Sequence, residues 1–134
     1  MRLLLAIPFV LIVFMSSAEC SAAAPADRWD RLKDESDRQT STFRGMLWER
    51  EMLLAHNTFW AQVYQACAPE ARAAGISGFK AVATVDRLGK VTEYLVNPSV
   101  PALRCFTTQM VGRQYPRPPT APFYEVYGVT IDPE

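Results

Sequence analysis

The stretch APEARAAGISGFKAVATVDRLGKVTEYLV, Ala68 to Val96, decides the fold. Phe79 to Val85 is a short run rich in β-branched residues, Asp86-Arg87-Leu88-Gly89-Lys90 is a turn, and Val91 to Val96 is a second run. Gly89 can take the positive φ that a connection of this length usually needs, so the two runs pair as an antiparallel hairpin. Alternation places Phe79, Ala81, Ala83 and Val85 on one face and Lys80, Val82 and Thr84 on the other. One face packs, and the other is at least partly wet. Asp86 is expected to hydrogen-bond backbone within the turn.

Upstream, Asn57 offers an N-cap, and Thr58 to Cys67 carries Phe59, Trp60, Val63, Tyr64 and Cys67 at the spacing of a one-sided apolar helix. Pro69 is expected to interrupt that helix, leaving Pro69 to Ala74 as a new short turn stopped at Gly75. Downstream, Asn97-Pro98-Ser99 ends the second strand. Pro101 to Gln114 is then helical, with Leu103, Phe106, Met110 and Val111 roughly on one face. Gly112 and Tyr115-Pro116-Arg117-Pro118-Pro119 stop it, the prolines forming a rigid connector. Phe123 to Ile131, FYEVYGVTI, is the last strand, and Gly128 is expected to mark a bulge or a close approach. The fold class is therefore α+β, a three-stranded antiparallel sheet packed by helices, with at least one sheet edge open.

The first 26 residues read as an export signal: Arg2 gives a positive start, Leu3 to Met15 is apolar apart from Pro8, and small residues follow. The segment is shorter than a comfortable bilayer span of about 20 residues. The expected location is the periplasm or the exterior, with an inner-membrane anchor or lipid attachment at Cys20 as alternatives; Glu19 is a poor neighbour for such a lipid site. Removal of the signal leaves Cys67 and Cys105, an even count in an oxidising compartment, and they are expected to pair. Residues 27–56 form a charged arm without proline, whose charges nearly cancel and sit at helical spacing, for example Asp27 with Arg31 and Asp34 with Arg38. A break is expected near Thr40-Ser41-Thr42 and Gly45, with an amphipathic second half carrying Phe43, Met46, Leu47, Met52, Leu53 and Leu54. Residues 57–134 are the globular domain.

The string Ala68-Pro69-Glu70-Ala71-Arg72-Ala73-Ala74-Gly75-Ile76-Ser77-Gly78, a strand, Val85-Asp86-Arg87-Leu88-Gly89-Lys90-Val91, a second strand, Asn97-Pro98-Ser99, a helical run and Tyr115-Pro116 resemble the C-terminal domain of the TonB family. The resemblance covers Tyr64 to Ile131, about half the chain, and rests on the order and spacing of the pieces. It implies a domain that grips a short segment of an outer-membrane protein by strand addition. On that basis Tyr124, Val126, Tyr127 and Thr130 of the last strand are the candidate partner contacts, with self-association along the same edge as the alternative. The chain departs from the energy-transducing members, which carry a histidine-bearing membrane helix and a long proline-rich span; neither is visible between Met1 and Asn57.

Formal net charge is zero over 134 residues and no basic run appears, which argues against nucleic-acid binding. There is no GxSxG elbow, phosphate-cradling loop, HExxH or CxxC, and the single histidine, His56, reads as a structural surface residue. Glu93 and Glu125 fall on strands and could be cross-strand neighbours, but a small sheet scarcely provides the pocket a glycosidase pair needs. The expectation is a non-catalytic protein without cofactor or metal that binds another envelope polypeptide. A membrane-anchored transport accessory, a secreted inhibitor or immunity-type protein, and a small hydrolase using Glu93 or Glu125 are the competing expectations.

Overall fold

The computed structural model describes residues 25–133. The apolar stretch expected to act as an export signal and Cys20 lie outside the described residues, and the boundary expected at Ala26 falls inside the first helix. The elements in order are α1 (Pro25–Thr40), α2 (Phe43–Asn57), α3 (Trp60–Ala73), β1 (Gly78–Val85), β2 (Val91–Asn97), a 3-10 turn (Pro101–Leu103), α4 (Arg104–Met110) and β3 (Phe123–Thr130). The strands form one antiparallel sheet in the order β2-β1-β3, so the fold is α+β as expected.

The hairpin is fixed by its turn. The Asp86 carboxylate accepts the backbone N–H groups of Leu88 and Lys90 at 2.8 and 2.9 Å. Gly89 has φ 88°, and a Cβ there would sit 2.1 Å from the Tyr115 carbonyl oxygen, so both conformation and space demand glycine. Tyr115 N–H in turn donates to the Gly89 carbonyl at 2.8 Å, tying the segment after α4 to the hairpin.

Alternation then separates two layers. Phe79, Ala81, Ala83 and Val85 face α3 and α4, where Val63, Cys67, Ala71, Leu103, Phe106 and Met110 are fully buried. Cys67 and Cys105 join these two helices as a disulfide, with Cα atoms 5.4 Å apart and a sequence separation of 38. A loop of that length contributes about 4 kcal/mol in the chain-entropy account. Val82, on the opposite face, is also completely buried, because α1 lies over that side of the sheet. Arg28 pairs with Glu93 of β2 at 2.6 Å, Trp29 is buried, and Gln39 reaches β3. The charged arm is thus a packed layer.

The chain reverses at Ser41-Thr42, where the Thr42 hydroxyl accepts Gly45 N–H at 3.0 Å as an N-cap. A Cβ at Gly45 would stand 2.0 Å from the Gln39 carbonyl oxygen, so this glycine permits the close reversal. α2 returns on the core side of the sheet, its Trp48 ring 4.5 Å from Phe123 and its Met52 sulfur 3.7 Å from the Tyr127 hydroxyl. The α1–α2 hairpin therefore straddles β3.

Several local expectations need correction. Asn57 ends α2 and does not cap α3; the junction lies at Thr58-Phe59, where the Thr58 side chain donates to the Ala55 carbonyl at 2.6 Å. α3 runs through Pro69, which removes only its own N–H from the ladder while buried Ala68 and Ala71 hold the turn. It stops at Gly75 as predicted, with Gly75 N–H donating to Arg72 and Ile76 N–H to Ala71 in a Schellman arrangement. The last helix ends at Met110, short of Gln114, because Gly112 N–H donates to the Val91 carbonyl and Val91 N–H to that of Arg113, drawing the chain alongside β2. Gly128 pairs regularly with Lys80; the irregularity sits at Thr84/Val85 against β2. In α1 the ion pairs formed are Lys33 with Asp37 and Arg38 with Glu35.

Candidate functional site

The candidate contacts on β3 divide between the two faces of the sheet. Tyr124, Val126 and Thr130 stand opposite Thr84, Val82 and Gly78 on the α1 side, half-buried at the first two and exposed at Thr130. Tyr127 stands opposite Ala81 and points into the core side, beneath α2. Tyr124 and Tyr127 therefore do not form one aromatic contact surface.

The outer border of β3 is engaged at its start and released further on. Gln39 acts as a two-pronged clip: its amide oxygen accepts Tyr124 N–H at 2.8 Å and its amide nitrogen donates to the Pro122 carbonyl at 2.9 Å. Toward the end of the strand, Gly128 and Thr130 are exposed. They border a shallow depression shared with Gly78, Lys80, Asn97 and Pro98. At the other edge, the start of β2 is flanked by Gly112 and Arg113, and Thr107 of α4 donates to the Tyr94 carbonyl at 3.1 Å.

Beneath α2 lies a buried polar seam that sequence reasoning missed. His56 is only 7% exposed, so its assignment to the surface is overturned. Its ring stacks between Trp60 and Tyr127 at 4.9 and 5.2 Å, and its Nδ1 lies 2.9 Å from the Tyr115 hydroxyl. Tyr127 donates to Tyr115 at 3.0 Å, leaving the Tyr115 proton free to reach His56 Nδ1. Burial lowers the His56 pKa to about 4, so the imidazole is neutral near pH 7 and accepts that proton. The same desolvation raises Tyr115 to about 12.

Glu93 and Glu125 are not neighbours, since β1 lies between their strands and their side chains leave opposite faces. Glu125 instead meets Glu49 of α2. It is 6% exposed, and burial, then the Glu49 charge, push its pKa up to about 8. Burial also raises Glu49, while its hydrogen bond with Glu125 acts the other way. Glu125 thus keeps its proton near neutrality and shares it with the Glu49 carboxylate. The Glu125 Oε2 atom, the Tyr94 hydroxyl and Trp29 Nε1 are buried without a hydrogen-bond partner in the protein. In the sequence the seam shows only as Glu49, Met52 and His56 at helical spacing and Glu125 and Tyr127 two apart on a strand, with nothing local to join the two sets.

Among the described residues, no group of three or more His, Cys, Asp or Glu side chains is placed to hold a metal ion, and no helix is long and apolar enough to cross a membrane. No family model, curated protein or solved structure matches this chain.

Proposed function

We propose that this chain is an exported, non-catalytic binding domain of TonB C-terminal type that takes up an extended segment of another envelope polypeptide along the distal half of β3. The observation that carries this is the exposed end of β3, at Gly128 and Thr130, beyond the Gln39 clip. An edge strand presents unpaired backbone groups at every second residue, and an added strand satisfies them while its side chains alternate into adjoining hollows. Val126 and Thr130 supply the neighbouring side chains, and Tyr124 remains an anchor of the clip. The element order, helix, strand, strand, helix, strand, agrees with the resemblance over Tyr64 to Ile131.

A photo-crosslinking residue at Thr130 is expected to capture a discrete envelope protein, whereas the same residue at Arg87 in the hairpin turn captures none. Gly128→Val sharpens the test, because a Cβ at 128 meets nothing within 4 Å and the fold tolerates it. The variant is expected to keep its melting temperature and lose the crosslink. Equal labelling from both positions, or a crosslink unchanged by Gly128→Val, would sink the proposal.

A further inference from the structure

α2 is apolar on two opposite sides. Gly45, Trp48, Met52 and His56 make the buried side. The opposite side carries Phe43 at 71% exposure and Leu54 at 73%, with Met46, Leu47 and Leu53 also open to solvent. Five of the seven large exposed apolar side chains among the described residues lie on this single helix; the others are Leu88 and Val111. At 100° per residue, Phe43, Leu47, Arg50 and Leu54 fall in one row, flanked by Met46 and Leu53. This 3,4 spacing is the seam of a helix pair.

The charges on the row identify the occupant. At the middle of this side Arg50 and Glu51 sit next to each other in a shallow groove walled by Leu47 and Leu54, with Arg44 and Asn57 toward its two ends. Leu47 lies three residues before Arg50, and Leu54 lies three residues after Glu51. A two-fold axis between positions 50 and 51 therefore exchanges Leu47 with Leu54 and Arg50 with Glu51. In an antiparallel pair of such helices, Leu47 faces Leu54 of the other copy, and Arg50 faces Glu51 of the other copy, each contact occurring twice. An isologous contact needs this self-complementarity.

We infer that the outer row of α2 is a homodimer interface in which two copies pack antiparallel about Arg50 and Glu51. It is distinct from the β3 border and does not depend on the proposed partner. A helix of 15 residues is about 22 Å long, so a contact made by one helix from each copy falls below the usual 800 Å² per partner. The dimer is accordingly weak, with a dissociation constant on the order of 1–100 μM.

Sedimentation velocity on the exported chain across that concentration range is expected to show a monomer–dimer equilibrium. Leu54→Glu should abolish it without changing the melting temperature, since Leu54 supports nothing inside the fold. Arg50→Glu and Glu51→Arg should each weaken self-association by roughly tenfold or more, because each sets like charges against each other twice. An equimolar mixture of the two variants should restore dimerisation, as every contact then joins opposite charges. A chain that stays monomeric at several hundred micromolar overturns the inference, as does a dimer untouched by Leu54→Glu or a mixture that fails to associate.

Discussion

The body of the molecule, α3 to β3, and the helical hairpin formed by α1 and α2 are held by different physics. In the body, wholly buried side chains such as Val63, Ala81, Phe106 and Met110 meet across one apolar layer, and a disulfide joins its two helices. Trp48 and Met52 carry the hairpin into the same apolar core, but its attachment also includes polar links. These are the Gln39 clip, the Arg28–Glu93 pair, the Trp48 indole N–H donating to the Pro116 carbonyl at 3.0 Å, and the seam of Glu49, His56 and Glu125. Apolar burial is insensitive to pH, whereas protons buried in the seam are not, so the hairpin is the part that solution conditions can loosen.

Breaking the body should cost most. Replacing Cys67 and Cys105 together by Ala is expected to remove about 4 kcal/mol, a large fraction of a small domain's net stability, read as a lower urea midpoint that reducing agent no longer shifts. Trp48→Ala strikes the hairpin and should cost about 3 kcal/mol, with loss of amide protection along α2 preceding loss in β1.

The seam sharpens the contrast through pH. Glu125 has a folded pKa raised from 4.5 to about 8, so the folded protein holds a proton that the unfolded chain releases. Its contribution is complete below about pH 4.5 and is lost as pH rises through about 8, a change on the order of 5 kcal/mol. His56 acts with the opposite sign: its folded pKa is lowered to about 4, so its contribution is present above 6.5 and is lost as pH falls through about 4. The two slopes oppose each other between 4.5 and 6.5. Glu125→Gln should abolish the alkaline decline and expose the His56 limb, as checked by urea unfolding from pH 4 to 9; an unchanged alkaline decline would discard this account. The smallest effect belongs to Gln39→Ala, about 1 kcal/mol, with faster hydrogen exchange at the Tyr124 amide and no change at Val82.

How much of this was legible follows from the range of each interaction. The hairpin, the role of Asp86 in its turn and the stop at Gly75 depend on residues within a few positions of each other, and all were readable. The Cys67–Cys105 pairing was readable because only two thiols remain after the expected signal. The shortened α4 was not, because the competitor for its last turn is the backbone of Val91, distant in sequence. His56 looked like a surface residue because its neighbours Ala55 and Asn57 gave no hint of Tyr115 and Tyr127 closing over it. Glu49 and Glu125 lie 76 positions apart, which no local pattern can connect.

By itself the sequence determined the class of fold, the hairpin register of alternating faces, the three-strand count and the helix pair available for a disulfide, because these follow from local geometry and period. Tertiary structure alone decided that α1 and α2 straddle β3, that α2 buries one apolar side and leaves the other bare, and that a carboxylic acid and an imidazole sit neutral beneath it. Packing across long separations sets which side of a doubly apolar helix is covered and how far a buried group is stripped of water, and neither quantity is written in a local pattern.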